Sequence, residues 1–232
     1  MRQRKAKDLE KRLAECSEYM IDDPGKGSRD YFGSKVCGTD DAANGLSDTG
    51  AERELFLEIG CGKGQFIIKK ALENPDADFI AVEGQETVIL RALEKVSKQS
   101  TGKPKPENLK FMLTFIDNME DFFDEDQLSG IYLNFSDPWP KARHAKRRLT
   151  YRKRLENYGK ALKPGGFIEI KTDNDDLFDF TLREIEDVGY ETVELTRDLH
   201  SSSYASRLTT TEYEDKFSGR GKNINYVKII VG

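Results

Sequence analysis

The sequence contains few of the side chains that build metal centres and covalent cross-links. It has three cysteines and two histidines in 232 residues. The cysteines, Cys16, Cys37 and Cys61, are scattered and form no CxxC pair. This spacing predicts neither a disulfide framework nor a zinc site. We therefore expect a protein without a metal, in a reducing, cytoplasmic environment.

Long apolar runs are also missing. No stretch approaches the roughly 18 apolar residues of a membrane span, and the first residues do not follow the pattern of a secretory leader. We therefore expect no association with a membrane. Hydrophobic residues make up 37% of the chain, which is enough for the core of one domain with a short appendage.

Basic side chains are fewer than acidic ones overall, 37 against 42, but they are locally concentrated. The formal net charge is −5, yet residues 1–12 carry six basic and two acidic side chains. Residues 141–154, which we call the basic segment, carry eight lysines and arginines and no acid. An acidic body with two basic patches repels polyanions in general and accepts them in one place.

Composition divides the chain into two parts. Residues 1–53 are predicted to form a basic N-terminal helix, up to about residue 20, and a flexible arm rich in Gly, Asp and Ser. Residues 54–232 are predicted to form one domain. Strands alternate there with helices, which predicts an α/β fold with a doubly wound, mostly parallel sheet and an antiparallel edge strand. The predicted strands are 55–59, 79–82, 109–115, 131–135, 167–171, 191–195 and 224–231, and the helices are 64–74, 87–99, 119–124, 151–162 and 177–188.

A glycine-rich loop follows the first predicted strand. Gly60, Gly62 and Gly64 alternate with other residues directly after Glu58. Glycines allow a sharp turn and a close approach of a ligand to the main chain. The spacing lacks the third glycine of a dinucleotide loop and the first glycine of a phosphate-binding P-loop. The pattern indicates a site for a cationic ligand, and a tight turn without a ligand is the alternative.

Acidic residues end the next two strands as well. Glu83 lies 19 residues after Gly64, the spacing at which an acid binds ribose hydroxyls in a doubly wound fold. Asp117 follows the third strand, where it can accept a hydrogen bond from an adenine amino group. Each acid alone is commonly a solvated loop residue. Three at successive strand ends, with Glu58 the first, predict a pocket for S-adenosylmethionine.

A stiff loop follows the fourth strand. Pro138 and Pro140 fix their own φ angles and restrict the residues before them. This proline loop, residues 134–140, holds Asp137 and the single tryptophan, Trp139. Asp137 capping a turn and Trp139 covering the core is the alternative. The basic segment that follows favours a polyanionic partner over a solvated helix face, because no interleaved acid can form pairs within a helix.

These motifs together resemble a known family. NFSDPWPK, RHAKRRLTY, FIEIKTDN, DLHSSSY and TTTEYEDKF, in that order from about residue 54 to residue 231, resemble the bacterial tRNA (guanine-N7)-methyltransferases that modify the variable loop. The resemblance implies a Rossmann-like class I methyltransferase fold, S-adenosylmethionine as methyl donor and tRNA as partner. It also implies guanosine 46 as the target.

The resemblance assigns roles to individual positions. Asp137 is implied as the catalytic residue. The implied cofactor-binding residues are Glu58, Gly60, Gly62, Glu83, Asp117 and Asp137. The implied contacts with the substrate guanosine are Lys141, Asp173, Thr211, Glu212, Tyr213 and Glu214. The implied RNA contacts are Arg143, His144, Lys146, Arg147 and Arg148.

Two other functions remain open at this stage. A methyltransferase acting on a protein or a small molecule leaves the basic segment unexplained. An RNA-binding protein with an inactive methyltransferase fold leaves Glu58, the glycine-rich loop and Asp137 unexplained. The sequence is compatible with a monomer or a homodimer.

Overall fold

Seven strands form the centre of the fold. The computed structural model describes residues 7–21, 53–97, 104–211, 214 and 223–232. The strands are β1 Leu55–Ile59, β2 Asp78–Glu83, β3 Leu109–Leu113, β4 Leu128–Asn134, β5 Leu162–Thr172, β6 Glu191–Thr196 and β7 Asn225–Ile230. The helices are α1 Leu9–Ala14, α2 Gln65–Glu73, α3 Glu86–Ser97, α4 Arg152–Ala161 and α5 Asp175–Val188.

The strands form one sheet in the order β3-β2-β1-β4-β5-β7-β6. Neighbours from β3 to β5 are parallel, whereas β7 is antiparallel to both β5 and β6. The predicted doubly wound sheet with an antiparallel edge is therefore confirmed. The final strand does not form the outer edge, however, because β7 inserts between β5 and β6.

Both faces of the sheet are covered by helices. On one face α2 and α3 pack against β2 and β3, and on the other α4 and α5 pack against β5. Each face has its own apolar cluster, with Leu57 and Ile131 in one cluster and Phe79 and Phe111 in the other. This two-sided burial explains why the central strands read as nearly continuous apolar runs.

Most predicted elements from residue 55 onward begin and end within three residues of the observed ones. The start of β5 is the exception. A helix end was predicted at the Lys163-Pro164-Gly165-Gly166 turn, and α4 does end there, at Ala161. The ladder with β4 nevertheless begins at Leu162 and shifts register before Phe167. The Gly165 amide donates to the Val231 carbonyl, just after β7, at 2.9 Å. The turn is therefore a bulge within β5 and not a separate loop.

The N-terminal helix is shorter than predicted. Within residues 7–21 the chain forms α1 and then a single 3-10 turn, Ser17–Tyr19. Arg12 forms an ion pair with Glu94 of α3, at 2.8 Å. The Ile21 amide donates to the Phe111 carbonyl of β3. The predicted flexible arm and the boundary at residue 53 adjoin residues 22–52, which lie outside the described residues.

The helices of the described residues were compared with the length and apolarity needed to cross a bilayer. None of those helices meets both requirements.

We expect Asn174→Ala to lower the free energy of unfolding by about 1 kcal/mol, the usual cost of losing an N-cap. The Asn174 side chain accepts a hydrogen bond from the Leu177 amide at 2.7 Å and so caps α5. Urea unfolding measures this change. Asn118→Ala is the control, because Asn118 precedes a 3-10 turn without a side-chain capping bond. Equal stability of the Asn174 variant and the wild type would contradict the capping role.

Candidate active site

The glycine-rich loop connects β1 to α2. Gly60, Gly62 and Gly64 have φ angles of +80°, +57° and +71°, in the left-handed region that favours glycine. A Cβ atom at Gly60 or Gly62 would meet nothing within 4 Å, so the backbone borders open space there. At Gly64 a Cβ would come within 2.8 Å of the Ala92 side chain, so close packing on α3 also requires glycine. The loop therefore provides an exposed main-chain surface beside the sheet edge.

Glu58 is buried at the end of β1. Its Oε1 accepts a hydrogen bond from the Asn134 side chain at 2.9 Å, and its Oε2 has no hydrogen-bond partner within the described residues. Burial raises the pKa of Glu58 to about 7, against the lowering effect of that hydrogen bond. A buried carboxylate oxygen without a partner is costly, and it suits a cationic or hydrogen-bond-donating ligand.

The ends of β1, β2, β3 and β4 border one cleft of about 390 Å³. Gly60, Glu83, Asp117 and Asp137 all line this cleft. Four residues predicted from separate strand ends therefore meet at one place. Glu58 and Gly62 do not line the cleft and lie directly beside it, at the end of β1 and in the glycine-rich loop.

Glu83 and Asp117 have different surroundings. Glu83 accepts hydrogen bonds from the Gly62 and Gln85 amides, at 3.2 and 3.0 Å. Burial raises the pKa of Glu83, these amides lower it, and the charge of Asp137 adds to the rise. Asp117 is exposed and forms an ion pair with Arg154 at 3.0 Å. Arg154 offsets the charge of Asp117, so Glu83 and Asp137 supply the negative charge of the cleft, which suits a ligand with positive charge.

The proline loop leads Asp137 from the end of β4 into the cleft. Phe135 and Trp139, on either side of Asp137, have φ angles of +50° and +41°. Such conformations are unfavourable for residues with bulky side chains and persist only where surrounding contacts hold them. The Phe135 amide donates to the Lys171 carbonyl of β5 at 2.8 Å, which anchors the start of the loop.

Trp139 connects the proline loop with the basic segment. The Arg147 guanidinium lies over the indole ring, 5.0 Å from its centre. His144 meets the same ring edge-on, with 5.7 Å between ring centres. Trp139 and Arg147 both line the cleft, so cationic side chains reach the edge of the acidic pocket.

The residues of the basic segment do not form one continuous exposed surface. Arg143, Lys146 and Arg147 are exposed, and His144 is half-buried. Arg148 is buried, with its guanidinium donating to two main-chain carbonyls of the proline loop. The cations of α4 also include paired ones, because Arg152 binds Glu184 and Asp187 and Arg154 binds Asp117.

The described residues among those predicted to bind guanosine are Lys141, Asp173, Thr211 and Glu214. Lys141 is exposed, and Asp173 follows β5 directly. Glu214 is buried, and its Oε2 accepts a hydrogen bond from the Thr211 amide at 2.7 Å. Glu212 and Tyr213 lie outside the described residues.

Lys171 of β5 was not predicted as a site residue. Its Nζ donates to the Thr209 carbonyl at 2.8 Å and lies 3.3 and 3.2 Å from the two carboxylate oxygens of Glu214. Burial lowers the pKa of Lys171, and Glu214 opposes that change. A lysine within an apolar strand was the available signal, because a buried charge requires a partner. No pattern in the sequence indicated that the partner is Glu214, which lies 43 residues away.

The described residues contain no group of three or more His, Cys, Asp or Glu side chains that could hold a metal ion.

We expect Lys171→Met to lower the free energy of unfolding by about 3–5 kcal/mol, because it leaves the Glu214 carboxylate buried without its cation. Lys171→Met combined with Glu214→Met should cost less than the sum of the two single changes. Urea unfolding of the four proteins measures this coupling.

The exposed pair Lys69–Glu73, at 3.9 Å, is the matched control. Lys69→Met should cost about 0.5 kcal/mol or less, as is usual for exposed pairs. Additive costs at Lys171 and Glu214 would show that the buried pair contributes nothing specific.

Comparison with known proteins places these features in a family. A sequence model described as "Putative methyltransferase" matches residues 52–227. A tRNA (guanine-N(7)-)-methyltransferase of Mesoplasma florum is 46% identical over 183 residues, which cover 78% of this chain and 81% of that protein. The enzyme of the same name from Streptococcus pyogenes serotype M18 is 37% identical, with 98% and 99% of the two chains covered.

Solved structures agree on the fold. An antibiotic-related methyltransferase superposes with a TM-score of 0.57 at 16% identity, covering 78% of this chain and 88% of its own. The Rossmann-like class I methyltransferase fold that the resemblance implied is therefore confirmed. The identity over nearly the whole chain goes further, and the protein belongs to the family of the tRNA (guanine-N(7)-)-methyltransferases.

Proposed function

We propose that the protein transfers the methyl group of S-adenosylmethionine to N7 of the variable-loop guanosine at position 46 of tRNA. The observation that carries this proposal is the acidic cleft with exposed cations at its edge, where Asp137 and Arg147 line the same space. Residues 54–232 are proposed to carry the activity. The buried free thiols of Cys16 and Cys61 support a reducing, cytoplasmic location.

The residues of the cleft suit S-adenosylmethionine. Glu58 has a buried carboxylate oxygen without a partner within the described residues, and the open space beside Gly60 and Gly62 admits a ligand to the main chain. Glu83 is proposed to hold the ribose hydroxyls and Asp117 the adenine. When bound, this cofactor supplies an electrophilic methyl group on a positively charged sulfur.

The target atom determines what the protein has to provide. N7 of guanine has a free lone pair and no proton, so its attack on the methyl group needs no general base. Positive charge develops on the imidazole ring of the base. Asp137 is proposed to stabilise this charge electrostatically and to help place the two reactants in line.

Residues near the end of β5 are proposed to hold the guanosine. Asp173 and Glu214 are carboxylates, which can accept hydrogen bonds from the N1–H and N2–H₂ groups of guanine. Glu214 is paired with Lys171 in its buried position, and hydrogen bonds to a carboxylate are among the stronger ones. Lys141 and the segment of Thr211, Glu212 and Tyr213 are proposed to complete this site.

The exposed part of the basic segment is proposed to bind the tRNA backbone. Arg143, His144, Lys146 and Arg147 project from the 3-10 helix Ala142–Arg147, next to the cleft. Phosphate contacts of this kind position a nucleic acid and make its affinity dependent on salt. Arg148 is left out of this group, because its guanidinium donors are engaged within the protein.

Incubation with labelled S-adenosylmethionine and unmodified tRNA, followed by nucleoside analysis, tests the proposed function. We expect label in 7-methylguanosine, and loss of that label when guanosine 46 is replaced. Label in another nucleoside, or in protein, would refute the proposed substrate.

We expect Asp137→Ala to lower the single-turnover rate by about 100-fold or more at saturating tRNA and cofactor. Its affinity for tRNA should stay close to that of the wild type, because electrostatic stabilisation acts on the developing charge. Glu125→Ala is the control, since Glu125 is an exposed acid that does not line the cleft. A normal rate in the Asp137 variant would remove Asp137 from catalysis.

The pKa of Glu58, about 7, predicts a pH-dependent affinity for the cofactor. The free carboxyl is mostly protonated at pH 6 and mostly ionised at pH 8, and a cationic ligand binds the ionised form. The affinity should therefore rise about 10-fold from pH 6 to pH 8, with proton release at pH 6.

Calorimetry in buffers of different ionisation enthalpy measures both effects. Glu58→Gln is the control, because the titration of the ligand itself remains in that variant. The same pH dependence in the variant and the wild type would show that Glu58 does not face the positive groups of the ligand.

A further inference from the structure

Arg148 differs from its neighbours in where its guanidinium lies. The residue is 9% exposed, whereas Lys146 and Arg147 are exposed. The guanidinium lies 4.2 Å from the ring centre of Phe180, on α5. Nε donates to the Pro138 carbonyl at 2.9 Å, and a terminal nitrogen donates to the Trp139 carbonyl at 3.1 Å. The side chain therefore joins the proline loop to a helix on one face of the sheet.

The two carbonyls lie where the loop conformation needs support. Trp139 has a φ angle of +41°, which an aromatic residue adopts only under external restraint. Pro138 cannot donate a main-chain hydrogen bond, so the loop has few ways to hold itself. Two hydrogen bonds from a charged donor are strong and directional, and they fix the orientation of both peptide groups.

Asp137 depends on this restraint. The side chain is exposed and makes no ion pair within the described residues, so the main chain alone positions it. The Phe135 amide anchors the start of the loop on β5, and Arg148 holds the end. Asp137 lies between these two anchors.

We infer that Arg148 is a positioning residue for Asp137 and Trp139 and does not contact tRNA phosphates. This inference rests on the proposed function for the identity of the reaction, but the loop contacts do not depend on it. Two consecutive cations thus have different roles. Arg147 lines the cleft, and Arg148 is buried against α5.

Arginine and lysine differ in a way that separates the two roles. Lysine can bind a phosphate as a point charge, so Arg148→Lys would retain most of a phosphate contact. Lysine lacks the planar fork that donates to two carbonyls at once and stacks on an aromatic ring. A positioning role is therefore lost in Arg148→Lys, and a purely electrostatic role is retained.

The experiment compares Arg148→Lys and Arg148→Ala with Lys146→Ala, which removes one exposed charge two residues away. Three quantities are measured: the single-turnover rate at saturating tRNA and cofactor, the salt dependence of tRNA binding, and the fluorescence of Trp139. The chain has one tryptophan, so its emission and acrylamide quenching report on the loop alone. Thermal unfolding ensures that each variant is measured while folded.

We expect Arg148→Lys to lower the rate about 10- to 100-fold, since small misplacements of catalytic groups have effects of this size. The tRNA dissociation constant should change less than twofold, the salt slope should be unchanged, and quenching of Trp139 should increase. Lys146→Ala should instead weaken tRNA binding and reduce the log–log salt slope by about 0.7–0.9, as for one lost phosphate contact. Its Trp139 fluorescence should match that of the wild type.

Two results would overturn the inference. A salt slope reduced in Arg148→Ala as in Lys146→Ala would assign Arg148 to the phosphates. Unchanged Trp139 fluorescence in both Arg148 variants would show that the loop does not need the guanidinium. The fluorescence measurement requires no tRNA, so it stands even where the proposed methylation fails. If Arg148→Ala does not fold, the rate and the Trp139 quenching of Arg148→Lys separate the two roles, because a phosphate contact that lysine retains would leave both unchanged.

Discussion

The parallel pairing of β3, β2, β1 and β4 is the constraint on which the site depends. Parallel strands end at the same edge of a sheet, so each acid that follows a strand is brought to one cleft. The ladders fix the strand ends at or after which Glu83, Asp117 and Asp137 lie. Glu83 and Asp137 repel each other, and the backbone hydrogen bonds of the sheet oppose that repulsion. The negative interior of the cleft is thus built by the fold and suits a positively charged methyl donor.

Glu58 and Glu214 are both buried, but their hydrogen-bond and ion-pair partners differ. Glu214 lies in a dry environment with Lys171 and the Thr211 amide as partners, so its charge is compensated within the protein. Among the described residues Glu58 is hydrogen-bonded to Asn134 alone, and burial raises its pKa to about 7. An uncompensated acid lowers stability and is retained where a ligand completes it. Glu214 therefore has partners within the protein for its charge, whereas Glu58 has an oxygen without a partner among the described residues.

The sequence was sufficient for features that depend on local pattern. The strands, the glycine-rich loop and the acids at strand ends were predicted because each follows from periodicity or from a turn of a few residues. The sequence did not predict which cations of the basic segment are exposed and which are bound within the protein. Arg152 pairs with Glu184, which is distant in sequence, and Arg148 donates to main-chain carbonyls, which every residue has. The insertion of β7 inside β6 and the partner of Lys171 also depend on long-range packing, which local pattern does not encode.

The stiffness of the proline loop resolves a conflict between opposite charges. Asp137 lies four residues before Lys141, where the basic segment begins, and a flexible loop would let it pair with those cations. Such a pair would neutralise the acid and one of the exposed cations. The positive φ angles at Phe135 and Trp139, held by the Lys171 carbonyl and the Arg148 guanidinium, direct Asp137 into the cleft instead. Backbone strain thereby prevents Asp137 from folding back onto the cations that follow it in the chain.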